Sequence, residues 1–180
     1  MNSFVTPEVD ARFPVGTFSR PAEVSAAEIA AGVASIAAMP ANLRTALAGL
    51  DDWQLDTPYR DGGWTVRQLV HHVADSHINM FVRFKLAVTE DWPTVRPYPQ
   101  ELWAELADSR LPPEVSVALL ESLHRRWAAV MAPMSPSDWL RGFIHPETGR
   151  FTLAQAMLLY EWHGRHHVAH VTELRKRMGW

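Results

Sequence analysis

Apolar residues recur at helical spacing in four long stretches, and each stretch opens on a start signal. Ser25-Ala26-Ala27-Glu28 is a capping box: hydroxyl and carboxylate stand where two free N–H groups of a first turn need acceptors. It opens an Ala-rich helix running to about Leu50, expected to bend or break near Pro40. Asp61-Gly62-Gly63-Trp64 is a turn, and Thr65-Val66-Arg67-Gln68 is a second capping box, opening a helix that ends near Glu90. Pro112-Pro113-Glu114 starts a third helix, which stops before Pro133. His145-Pro146-Glu147-Thr148-Gly149 reads as a turn. Thr152-Leu153-Ala154-Gln155 then opens the fourth helix, which Gly179 ends. The fold class expected is all-α, a four-helix bundle.

The connection between the second and third helices, Asp91 to Leu111, is long and carries Pro93, Pro97 and Pro99, with a short helix expected over Gln100–Ala107. Antiparallel neighbours need only short loops, so this length predicts a crossover. Residues 1–21 carry three prolines and no helical period, and read as an extended arm lying on one domain of residues 1–180.

The stripes give the inward faces. On the fourth helix Leu153, Met157, Tyr160, His167, Val171, Leu174 and Met178 share one face, with His163 and His170 flanking it. On the second, Val66, Val70, Val73, His77, Met80 and Phe84 share a face, which puts His77 inward and His72 off the centre.

Composition removes several chemistries. Nothing in a net charge of −3 over 180 residues marks a nucleic-acid or anionic-membrane partner. No cysteine is present, so disulfides, thiolate ligands, iron–sulfur clusters and cysteine nucleophiles are excluded. Any metal must rest on imidazole and carboxylate. The start, MNSFVTPEVDARF, lacks a basic segment followed by an apolar run, and no stretch reads as the roughly 20 apolar residues of a membrane span. A cytoplasmic protein is expected.

Histidine is the residue left to carry chemistry. Four of the nine histidines lie between His163 and His170, and His163 and His167 are four apart, so a helix stacks their rings on one face. A third partner is available in Val70-His71-His72-Val73-Ala74-Asp75-Ser76-His77. The pattern predicts a metal held between two helices. Against it stands the ordinary role of helix histidines as surface or capping residues, the role expected for His71, His124, His145 and His166, with His145 able to line a loop over the site. Three neutral imidazoles leave an ion one position open, as catalytic sites do. No His-Glu-x-x-His is present, and Glu121-Ser122-Leu123-His124 is a single Glu-x-x-His where a di-iron bundle needs two. No Gly-x-Ser-x-Gly elbow or phosphate loop is found.

The stretch from Trp64 to His72 resembles the second-helix signature of the DinB/YfiT-like metal-dependent proteins, in which a tryptophan opens the helix and a ligand histidine follows eight residues later. His163, His167 and Gly179 resemble the family's His-x-x-x-His pair and helix end; His170 stands where many relatives carry Gln. Similarity to the YfiT, or bacillithiol S-transferase, branch extends over Leu55–Gln68, Ala74–His77, Arg83–Leu86, Gly142–Pro146 and Met178–Trp180. The resemblance implies one Zn²⁺ or Ni²⁺ per chain on His72, His163 and His167, a small-molecule substrate such as a low-molecular-weight thiol, a homodimer, and metal-dependent hydrolysis or thiol S-transfer. It chooses His72 where periodicity chose His77, leaving His77 as a satisfied core histidine or a support to the ligands. The competing reading is a non-catalytic bundle with a structural metal or an interaction role. No residue is singled out as catalytic; Asp75 is weighed as a group that orients an imidazole or acts as general base, against a solvated surface carboxylate, and Arg83, Lys85 and Arg165 as anion binders.

Overall fold

Three reciprocal caps set where three of the four long helices begin. Ser25, Thr65 and Thr152 each accept from the backbone N–H three residues on, and Glu28, Gln68 and Gln155 reach back to the cap N–H. A computed structural model describes residues 10–180, so residues 1–9 of the expected arm lie outside the described residues. The elements are α1 (Ala26–Leu47), α2 (Asp52–Leu55), α3 (Val66–Thr89), α4 (Gln100–Trp103), a 3₁₀ turn (Ala107–Arg110), α5 (Pro113–Met131), α6 (Pro136–Trp139), β1 (Gly142–His145), β2 (Gly149–Thr152) and α7 (Leu153–Met178). Gly179 ends α7 at φ 72°, the left-handed conformation that glycine takes without a steric cost.

α1 runs through Pro40 unbroken, so of the bend or break expected there the break does not occur. Proline has no N–H to give the Ile36 carbonyl four residues earlier. That carbonyl instead accepts from His124 Nδ1 at 2.6 Å, so the missing bond is supplied from α5. α1 is also long and apolar enough, at mean hydropathy 1.3, to cross a membrane by length and composition, which the sequence reading did not expect. In this fold it packs on α5 and α7 and buries Ile36, Met39, Leu43 and Ala46.

Side-chain pairs give the helix directions. Ser35 meets Glu161 and Ala46 meets Arg175, so α1 and α7 are parallel. His71 meets Ser116 and His77 meets His124, so α3 and α5 are parallel. Arg44 on Glu121 with His124 on Ile36 makes α1 and α5 antiparallel, and Ser76 on Tyr160 with His72 beside His167 makes α3 and α7 antiparallel. The order is up, down, down, up. Two parallel neighbours cannot be joined by a tight turn, so the 90–112 segment is the crossover that its length predicts.

The β1–β2 hairpin departs from the purely helical expectation. Gly149, at φ 80°, closes its turn, and the Phe143 and Phe151 rings stack with centroids 5.9 Å apart. Ile144 accepts from Val95 N and donates to Pro93 O, which pins the start of the crossover to the hairpin. From Asp10 to Pro21 the chain runs along the bundle without helix or strand: Trp162 donates to Gly16 O and Gln155 to Pro21 O.

The interior is two apolar clusters. One gathers Met80, Phe84, Trp127, Leu153 and Met157, the other Leu43, Leu69, Val70, Leu120 and Leu174. Between them lie the levels of His77 on α3, His124 on α5 and His163 on α7.

Candidate metal centre

Helical spacing stacks His163 and His167 on α7, with ring centroids 4.4 Å apart and their Nε2 atoms 3.2 Å apart. Antiparallel α3 brings His72 alongside, its ring 5.6 Å from His163 and 5.1 Å from His167. One ring nitrogen from each of the three lies within 4.8 Å of the others. His72 and His167 are buried and His163 half-buried. Burial holds all three imidazoles neutral at pH 7: it lowers the His72 pKa to about 4 and those of His163 and His167 well below the ordinary value. The neighbouring histidines lower the latter two further. The donor set is therefore three uncharged nitrogens and no carboxylate, which suits a borderline divalent ion. His167 Nδ1 is buried with no partner, a cost no protein group offsets.

A loop builds the entrance. Tyr59 N donates to Trp64 O, Gly62 turns at φ 65°, and Trp64 lies over His72 with centroids 4.6 Å apart. The resulting cavity, about 320 Å³, is walled by Tyr59, Arg60, Trp64, Gln100, Glu101, Trp162 and His166 as well as the three clustered histidines.

Behind the cluster the rings continue. His163 Nδ1 is 3.1 Å from His77 Nε2, and His77 Nδ1 is 2.9 Å from His124 Nε2. A second group, His166, His167 and His170, is also buried; His166 Nδ1 and both His170 nitrogens have no partner.

Several expected roles are corrected. His77 faces inward as its stripe predicts, fully buried, while His72 is buried at the margin of the core. His71, His124 and His166 are not surface residues. His71 is closed in by Leu111 and Ser116, His124 by Ile36 and His77, and His166 by Trp162 and Phe13. His145 lies in β1 beside Glu147 and does not wall the cavity. Asp75 is half-buried rather than a solvated carboxylate; burial, then Asp108, pushes its pKa up to about 6. Of the expected anion binders, Arg83 is buried and donates to Arg96 O, Arg165 is paired with Glu161, and Lys85 lies over Phe81. None walls the cavity, whereas Arg60 does.

His124 could have been found in the sequence. Val117, Leu120, His124, Trp127 and Met131 alternate at spacings of three and four, which places His124 on the buried stripe of α5. Arg60 carried no such signal, since a turn residue shows its neighbours only after folding.

The DinB superfamily pattern matches residues 35–171 of the chain. A Bacillus cereus (strain 03BB102) protein named "Putative metal-dependent hydrolase" is 52% identical over 171 residues, covering 95% of this chain and 99% of its own length. A Bacillus mycoides (strain KBAB4) protein of the same name is 51% identical with the same coverage. The solved structure of YfiT from Bacillus subtilis, described as a probable metal-dependent hydrolase with an unusual four-helix bundle topology, superposes with a TM-score of 0.92. The two are 46% identical, over 94% of this chain and 98% of that one.

Proposed function

The chain belongs to the DinB superfamily, and on that footing we propose that it is a metal-dependent enzyme acting on a small molecule, with one divalent ion held by His72, His163 and His167. The reaction is hydrolysis or thiol S-transfer, carried out by a single cytoplasmic domain over residues 1–180 that pairs as a homodimer. The observation that carries the reading is the convergence of three imidazoles from α3 and α7 beside a cavity of about 320 Å³. Zinc and nickel both suit such a set. When bound, the ion supplies Lewis acidity to a water or thiol at a position the protein leaves open.

The remaining work falls to the chain. The neutral rings offer lone pairs at pH 7 with no proton to displace. Trp64 covers His72 and Trp162 stacks on His166, and these faces shield one side of the cluster while the cavity leaves the other open. Arg60, with Gln100 and Glu101 across the cavity, gives a substrate charged and polar contacts for orientation. Because the chain has no cysteine, any thiol nucleophile must come from outside. A purely structural ion would want four protein ligands, and the His72 cluster offers three.

Elemental analysis tests the ion. Wild-type protein should hold about one divalent ion per chain. His72→Ala, His163→Ala and His167→Ala should each lose it, while His71→Ala keeps it. Undiminished metal in His72→Ala would overturn the ligand assignment. Paired assays then divide the chemistry: ester and amide panels read hydrolysis, and a thiol with an electrophile reads transfer. Turnover that survives both chelation and His163→Ala would remove the metal from the reaction.

A further inference from the structure

Three histidines from three helices form an unbroken hydrogen-bonded line that ends on a backbone carbonyl. His163 Nδ1 meets His77 Nε2 at 3.1 Å, His77 Nδ1 meets His124 Nε2 at 2.9 Å, and His124 Nδ1 meets Ile36 O at 2.6 Å. The last contact fixes the others. A carbonyl oxygen can only accept, so His124 carries its proton on Nδ1. A neutral imidazole has one N–H, so His124 Nε2 is bare and must accept from His77 Nδ1–H. His77 Nε2 is then bare in turn and accepts from His163 Nδ1–H. His163 is left with a bare Nε2, the atom that stands 3.2 Å from His167 Nε2 in the cluster. This proton order holds for an uncharged line, and its setting keeps it so: His77 and His124 are almost wholly buried, with Trp127 edge-on to both rings.

The anchor is available because of one residue. The helical donor to Ile36 O would be residue 40, and residue 40 is proline. Pro40 leaves that carbonyl open inside the bundle, and His124 takes it.

We propose that His77 and His124 are positioning residues that, anchored on the carbonyl freed by Pro40, hold His163 with its Nε2 lone pair turned toward the ion. Metal-bound histidines ordinarily hand their second N–H to a carboxylate, a carbonyl or water. Here that acceptor is an imidazole, and the carbonyl acts from two rings away. The proposal rests on His163 being a ligand, as argued above, and its test separates the two ideas.

The first measurement needs no metal. Long-range ¹H–¹⁵N NMR of the metal-free wild-type chain reads which nitrogen of each ring carries the proton. The expected result is the Nδ1–H form at His124, His77 and His163 together. The second measurement is a competition titration with Zn²⁺. His77→Leu should bind about 10–100-fold more weakly than wild type. His77→Gln should recover most of that loss, because its amide can donate toward His124 and accept from His163. A ring that only filled space would be replaced as well by leucine as by glutamine. Should His77→Leu fail to fold, the glutamine variant and the wild-type tautomers still decide. His163 carrying its proton on Nε2, or His77→Leu binding zinc as tightly as wild type, would overturn the proposal. Zinc binding with the wrong tautomers removes the positioning role and leaves the metal centre standing. Correct tautomers with no zinc binding remove the centre, and the role with it.

Discussion

His71 and His72 are adjacent in the chain and serve opposite sides of α3. His72 joins the cluster, while His71 donates from Nε2 to Leu111 O at 2.9 Å and accepts on Nδ1 from the Ser116 hydroxyl at 2.7 Å. It ties α3 to the end of the crossover and the first turns of α5. His71→Ala would strand both partners in a buried place, at a cost of about 1–3 kcal/mol. A denaturant melt should show that loss while elemental analysis finds the metal unchanged; an unshifted midpoint would mean that water replaces the ring. The same contrast sets the limit of what can be read from the sequence. The His163–His167 pair is local, so spacing alone predicts it. The share of His72 is not local: periodicity reports which residues face the core, and His72 stands at its margin. Pro40 was legible as a defect in a helix. That a histidine more than eighty residues away would fill the defect is a fact of packing.

At the scale of elements, the helix starts were the most legible feature, because a capping box is complete within four residues. The hairpin escaped notice because Gly142–His145 and Gly149–Thr152 are too short to show alternation. Yet the hairpin holds the crossover and delivers the chain to Thr152, so its backbone is exacting. A methyl on Gly142 would run into the Phe151 carbonyl, which is backbone and cannot rotate aside. Thr152→Ala removes only a cap, at about 1 kcal/mol. Thermal melts should therefore rank Gly142→Ala as the more damaging of the two, with helical circular dichroism largely kept in both. Equal melting temperatures would show that the hairpin is dispensable to the bundle. The crossover was legible as a length; that it joins parallel helices emerges only from which side chains meet.

Across the whole molecule, acid should be the characteristic stress. Burial pulls the proton affinity of His72, His77, His124, His163, His166, His167 and His170 below that of a free histidine, to about 4 for His72, His124 and His166 and about 3 for His170. An unfolded chain takes up these protons near pH 6.5. Between that pH and about 4 the unfolded state binds more protons than the native one, so stability falls as pH falls. Asp75, raised to about 6, works weakly the other way. The melting temperature of metal-free protein should be level above pH 7 and drop steeply below 6.5; constancy from pH 7 to 5 would show that these rings are not kept neutral. The line from His163 to Ile36 has a different consequence. Imidazoles conduct protons only when both ends can exchange one, and an amide oxygen can neither surrender a proton nor retain one. The row of rings is thus an insulator: it holds a lone pair in place and carries no current. A proton released by chemistry at the cluster finds no exit along that line, whereas the cavity past Arg60, Gln100 and Glu101 opens to solvent.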